Sequence, residues 1–297
     1  MTKVVSFINL KGGVAKTTTT IQIAECLASE FGKRVLVIDL DPQTNATIAL
    51  ISDERWEDLD SKGNTVYHLF DDKLNDTNKF NIEKALQKDV SSLKLKNLHL
   101  LASSIRFIDL QDRISDISTK TSHTLSPMEV LKSAVDPILS RYDYVLIDCP
   151  PNLSFITQNG IEISDYYFIP TIPDALSTYG INQIVKQISV LSRRRHLKIK
   201  CLGLVITKYD TRSKAQERGI KNLPKRFSDA FAEQKLQPAP IFDTKIPQAN
   251  SIADAMDYVR ASGQKTFKGK YGYTNANYAP VYQHIITLTQ EFIKYAK

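Results

Sequence analysis

The chain has 297 residues, 42% of them hydrophobic and 24% charged, which is the balance of a folded globular protein and excludes a disordered or fibrous one. No apolar run reaches the roughly 18–20 residues needed to cross a bilayer, and the opening residues Met1 to Asn9 meet glycines too early for a secretory leader. The formal charge is +7, but Arg193 to Lys270 alone hold 18 basic and 7 acidic residues, a local excess of +11 that leaves −4 for the rest. A basic segment on a near-neutral body suggests a face for polyanions. Cys26, Cys149 and Cys201 are too far apart for a disulfide framework or a paired metal motif, and are expected to be packed thiols in a reducing cytoplasm.

Short apolar runs alternate with amphipathic stretches from end to end. Val4–Ile8 reads as a buried strand, followed by a Gly-Gly turn and by Ile21, Ala24, Leu27, Ala28 and Phe31 at helical spacing. Gly32 closes that helix, and Arg34–Ile38 is a second strand. Ser52–Lys96 is polar, lacks a clear strand and reads as surface helices and loops inserted after the second strand, about residues 52–96. Further strands are expected at Leu98–Leu101, Tyr144–Ile147, Tyr167–Ile172, Cys201–Ile206 and Pro240–Phe242, with helices at Met128–Ile138 and Ile181–Leu191. A final helix from about residue 280 to 297 carries Val281, Ile285, Leu288 and Phe292 on one face. Strands apolar throughout and separated by helices mean a mostly parallel sheet covered on both faces. The expectation is an α/β chain forming one doubly wound domain over residues 1–297, with no room ahead of the first strand for a helix-turn-helix.

Between the first strand and first helix lies Lys11-Gly12-Gly13-Val14-Ala15-Lys16-Thr17-Thr18. A triphosphate needs backbone N–H groups converging on its oxygens, and a glycine-rich turn at a helix N-terminus supplies them. Lys16 is placed to reach the β- and γ-phosphates of ATP, and the Thr17 hydroxyl to ligand Mg²⁺. Leu10 stands where the first glycine of the ordinary P-loop belongs, Ala15 where the second does, and Lys11 stands directly ahead of the glycine pair. This loop resembles that of the deviant Walker A ATPases, the family of ParA, MinD and the nitrogenase iron protein. The resemblance implies a P-loop ATPase fold and a catalytic role for Lys11, which in that family reaches across a homodimer to the partner's ATP. Where that family more often has glycine, Ala15 is expected to take a negative φ or force a small local adjustment, since a left-handed alanine is strained.

Asp39 and Asp41 end the second strand on one side, followed by Pro42 and Gln43; strand ends of this kind line the ligand crevice of open α/β sheets. The stretch resembles the family's D-x-D-P-Q signature, which implies that Asp41 orients the attacking water and that Asp39 lies near Mg²⁺ and Thr17, with the division of roles left open. Tyr144–Asp148 followed by Cys149, Pro150 and Pro151 is an apolar strand ending in an acid, and resembles the family's D-x-P-P; Asp148 is expected to hold Mg²⁺ through water, beside a buried Cys149 thiol. By the same resemblance Lys208, Tyr209, Asp210 and Pro247 line the adenine, although a turn would use the same residue types. Pro170–Pro173 and Asp174–Ser177 resemble the segment beside the dimer interface.

The resemblance runs from Lys3 to about Val259 and is nearest to the small ParA type, including carboxysome-positioning, McdA-like relatives. It implies a slow ATPase whose ATP-bound dimer binds double-stranded DNA without sequence preference, moves plasmid, chromosomal or protein cargo over the nucleoid, and is triggered by a ParB-like or cargo-adaptor partner. The basic segment agrees, with Arg193, Arg194, Arg195, Lys221, Lys225, Arg226, Lys245, Arg260, Lys265, Lys268 and Lys270 as candidate phosphate contacts and Tyr271 and Tyr273 beside the last of them. A MinD-like membrane ATPase would need a basic amphipathic terminal helix, but only Lys294 and Lys297 lie near this one, so core packing and no stable membrane association are expected. An iron–sulfur carrier would need paired cysteines. A metabolic P-loop ligase on the same scaffold would use neither Lys11 in trans nor a DNA face.

Overall fold

The computed structural model describes residues 1–110, 112–121, 124–272 and 280–297, without the side chains of 175–179. The first third comprises β1 (Lys3–Phe7), α1 (Lys16–Ser29), β2 (Val35–Asp39), α2 (Asn45–Leu50), α3 (Asp53–Ser61), α4 (Val66–Leu74), α5 (Ile82–Ala85), β3 (Leu86–Gln87) and β4 (Leu98–Leu101). Then come α6 (Phe107–Leu110), α7 (Ile117–Lys120), α8 (Val130–Leu139), β5 (Tyr144–Asp148), α9 (Phe155–Glu162), β6 (Tyr166–Thr171) and α10 (Ala175–Arg195). The last part holds β7 (Lys200–Tyr209), α11 (Lys214–Ala232), β8 (Ile241–Pro247), α12 (Asn250–Met256), α13 (Tyr258–Ala261), α14 (Phe267–Tyr271) and α15 (Val281–Tyr295).

The strands form one sheet in the order β3-β4-β2-β5-β1-β6-β7-β8, parallel except for the β3–β4 pair. Alternate residues of each strand feed opposite cores, because successive side chains point to opposite faces. Val4, Leu36, Ile38, Val145, Ile147 and Ile169 pack on the side of α4, α8, α9, α10 and α11. Val5, Phe7, Val35, Val37, Leu146 and Phe168 pack on the side of α1 and α15. This is the expected doubly wound α/β sheet, and its parallel strands bring their carboxyl ends to one edge.

The stretch 52–96 is less superficial than its composition suggests. Val66, Leu69, Phe70 and Leu74 recur at helical spacing within it, so α4 buries them in the main core, and Leu86–Gln87 adds a short antiparallel strand at the sheet edge. Strands β7 and β8 run further than their apolar centres, and the mostly polar α11 was not legible as a helix before the structure. In α15, Val281, Ile285, Leu288 and Phe292 are fully buried. Glu291 on the same helix accepts the Asp243 and Thr244 N–H groups and the Thr244 hydroxyl, clipping α15 to edge strand β8. The apolar stripe is therefore core. Among the described residues no helix is long and apolar enough to cross a membrane.

Candidate active site

The site is assembled by strand register. Asp39 and Asp148 are partners across the β2–β5 pair, and Phe7, the last residue of β1, pairs with Asp148 on the other side. The turn leaving β1 therefore starts beside Asp148, with Asp39 one strand further along. Asn9 anchors it, donating from Nδ2 to the Pro170 carbonyl at 2.8 Å and accepting the Lys11 N–H at 2.9 Å. The turn ends on α1, whose first turn has no side-chain cap and no acidic residue of its own, so its N-terminal N–H groups remain available to an anion. A Cβ at Gly12 or Gly13 would meet nothing within 4 Å, so open space lies over the loop.

Ala15 corrects the expectation of a negative φ: it is left-handed, with φ 62° and ψ 33°. Its carbonyl accepts both the N–H (2.9 Å) and the hydroxyl (2.7 Å) of Thr19, and the adjacent Val14 carbonyl accepts the Thr207 hydroxyl at 2.9 Å. Those bonds hold a conformation that costs an alanine on the order of 1 kcal/mol.

Thr17 Oγ1 donates to Asp148 Oδ2 at 2.7 Å. Lys16 is only 6% exposed, yet among the described residues nothing accepts a hydrogen bond from its ammonium. Burial pushes Asp148 up to about 7, opposed by Lys16 and the Thr17 hydroxyl. Burial and the Asp148 charge together hold Asp39 well above the usual carboxylate range, opposed by Thr47. Asp41 is raised by burial, opposed by the Gln43 N–H and Lys16. Asp39 makes no hydrogen bond to Thr17: its oxygens accept the Thr47 N–H (2.9 Å), the Thr47 hydroxyl (2.8 Å) and the Asp41 N–H (3.0 Å). Among the described residues no three acidic, histidine or cysteine side chains are grouped so as to cage a metal. Magnesium rarely needs such a cage, since it keeps waters and substrate phosphates among its ligands, and the Thr17–Asp148 pair beside an open anion cradle fits it.

Lys11 forms an ion pair with Asp174 of its own chain, Nζ to Oδ2 at 2.6 Å, both side chains about one-third exposed. Asp174 directly precedes α10, whose residues 175–177 belong to the expected interface segment but lie outside the described side chains. The ends of β7 and β8 meet, Tyr209 opposite Pro247, and the Thr207 hydroxyl links β7 to the loop at Val14. Lys208 is left-handed and Asp210 is held by Arg212 at 3.0 Å. Thr47, inside α2, and Ser103, just past β4, were missed; neither carries any sequence signal beyond a hydroxyl. Burial raises the Cys149 thiol and pushes Cys26 and Cys201 up to about 12, which makes all three unreactive.

The candidate DNA contacts do not form one patch. Arg193 and Arg194 on α10 and Lys221, Lys225 and Arg226 on α11 are exposed on one face of the sheet. Arg260, Lys265 and Lys268 lie with α13 and α14, a region packed on the opposite, α1 side. Lys270 must be withdrawn: its side chain is fully buried and bonded to Glu25 at 2.6 Å, where Tyr271 also donates. Arg195 is paired with Glu129 and Glu162, Arg260 with Asp254 and Asp257, and Lys245 lies over the Tyr209 ring. Tyr273 lies outside the described residues.

Residues 2–201 match the family described as AAA domain. The chain is 28% identical over 255 residues to the chromosome-partitioning ATPase Soj of Treponema pallidum (strain Nichols), covering 86% of this chain and 87% of that one. A point variant of Cyanothece McdA in complex with ATP shares the fold over 99% of this chain and 96% of that one, with a TM-score of 0.70 and 18% identity. Cobyrinic acid a,c-diamide synthase from Mycobacterium smegmatis, with bound ATP analog and magnesium, is similar at 27% identity over 89% of this chain and 93% of that one, with a TM-score of 0.66. Loop, strand-end acids and matched span agree, and the chain belongs to the AAA-domain family as a ParA-type partition ATPase.

Proposed function

We propose that this chain hydrolyses ATP to time its pairing, its grip on duplex DNA and the movement of cargo over the nucleoid, in the cytoplasm. The observation that carries this reading is the Thr17–Asp148 contact at 2.7 Å at the end of a glycine turn with open space over Gly12 and Gly13, a turn that also carries Lys11. In it, the backbone of Gly12 to Thr18 and the Lys16 ammonium hold the phosphates, while Lys208, Asp210 and Pro247 border the base. Thr17 and Asp148 hold Mg²⁺, with Asp39 behind them as the residue that fixes the turn carrying Asp41. Bound there, Mg²⁺ neutralises charge on the β- and γ-phosphate oxygens. Asp41 orients the attacking water, and Lys11 supplies positive charge to a second copy's phosphates, as an arginine finger does. Turnover is slow until a ParB-like or cargo-adaptor protein stabilises that arrangement. The paired state doubles the basic surface, so phosphate contacts add as avidity.

Size-exclusion chromatography with a slowly hydrolysed ATP analogue and magnesium tests this: dimers are expected from the wild type and monomers from Lys11→Ala. Only monomers in both would end the proposal. The likeness to a diamide synthase supports a second reading, a metabolic ligase. ATP turnover that responds to a carboxylic-acid metabolite but not to DNA would favour it.

A further inference from the structure

Asp41 is gripped at both of its main-chain polar atoms by buried side chains. Its N–H donates to Asp39 Oδ1 at 3.0 Å, and its carbonyl accepts from Ser103 Oγ at 2.8 Å. The circuit closes behind it. Ser103 N–H donates to Thr47 Oγ1 at 2.9 Å, and Thr47 Oγ1 donates to Asp39 Oδ2 at 2.8 Å. Asp39, Thr47 and Ser103 are fully buried, and Asp41 is 5% exposed. The ring joins the end of β2, the body of α2 and the residues just past β4.

The segment inside the ring is strained. Thr44 is left-handed, with φ 55°, a conformation that a β-branched residue keeps only where its surroundings fix it. The Thr44 N–H closes the turn onto the Asp41 carbonyl at 2.9 Å. One carboxylate oxygen of Asp41, Oδ1, accepts the Gln43 N–H at 3.0 Å. Among the described residues nothing donates to the other, so the acid is held by one oxygen and presents the second. Outside the ring, the Ser103 carbonyl accepts the indole N–H of Trp56, the chain's single tryptophan, at 3.0 Å.

We propose that Thr47 and Ser103 are positioning residues for hydrolysis, their ring aiming the Asp41 carboxylate, and that Trp56 ties the ring to α3. This rests on the reading of Asp41 as the residue that orients water. Buried partners of a catalytic group fix its geometry, and losing one costs about 10- to 100-fold in activity. A positioning role predicts a loss confined to the chemical step.

The deciding pair is Thr47→Val, which keeps the shape and removes the hydroxyl, and Thr47→Ser, which keeps the hydroxyl. Thr47→Val is expected to lower kcat about 10- to 100-fold with affinity for a slowly hydrolysed ATP analogue unchanged, and Thr47→Ser to recover most of the rate. Acrylamide quenching of Trp56 in the nucleotide-free protein is expected to rise in Thr47→Val and in Ser103→Ala, and to stay at the wild-type level in Thr47→Ser. If Ser103→Ala does not fold, the Thr47 pair still decides. Wild-type kcat and quenching in Thr47→Val, alongside an inactive Asp41→Asn, would overturn the ring and leave the Asp41 reading standing. Wild-type turnover in Asp41→Asn would overturn both.

Discussion

Ala15 occupies a left-handed position that glycine would adopt without strain. Ala15→Gly is expected to raise stability by up to about 1 kcal/mol, the relief of strain exceeding the extra freedom of the unfolded chain. A lower melting temperature in this variant would mean that glycine's added freedom in the unfolded chain outweighs the strain relieved. Asp148 gives a pH-dependent test. Its folded carboxyl is pushed from an ordinary value near 3.8 up to about 7, so its contribution to stability is present in acid and is lost as pH rises through 7. Asp148→Asn cannot ionise. Without nucleotide it is expected to melt above the wild type at pH 8, with the gap narrowing as pH falls through 7 and closing only near pH 4, while magnesium-dependent turnover is lost. Equal melting curves at both pH values would show that the wild-type acid is not raised. At this scale Lys16, Thr17, Asp39, Asp41 and Asp148 were legible because each lies at or soon after the end of an apolar strand. Thr47 and Ser103 were not, because a contact across 56 positions leaves no local pattern.

Helix α11 approaches the segment before α10 more closely than any side chain at Gly219 would allow. A Cβ there would lie 1.9 Å from the Pro173 carbonyl oxygen. Gly219→Ala is therefore expected to destabilise by roughly 1–3 kcal/mol through displaced backbone, read as a lower denaturant midpoint. An unchanged midpoint would show that α11 can slide freely. Strands were the most legible elements because burial on both faces makes them continuously apolar. Helix α4 was hidden by the charges around its five core residues, and β3 is too short to carry a period. The final helix was read correctly as core from the spacing of Val281, Ile285, Leu288 and Phe292.

Over the whole molecule, the basic excess between residues 193 and 270 is contiguous in sequence but divided in space, because the sheet lies between α11 and α14. Linear order cannot reveal this. Lys214, Arg218, Lys221, Lys225 and Arg226 are all exposed on α11, against Glu217 and Asp229. Lys221 is paired with Glu217, but near α14 the exposed cations are fewer, and Arg260 is paired with two acids. In gel shifts with ATP, Lys221→Glu with Lys225→Glu is expected to weaken duplex binding more than Lys265→Glu with Lys268→Glu, and to lower the salt slope by about 2. The opposite ranking would place the DNA on the α14 side.

The bridge from Lys11 to Asp174 bears on how two copies meet. Under the proposed function, a lysine that serves a neighbour must first leave a carboxylate at home. Because both groups are about one-third open to water, that bond is worth at most about 1 kcal/mol. It acts as a light tether: it gives the lysine a defined resting pose, and under the proposed function a bond this weak would not by itself set how long a pair endures.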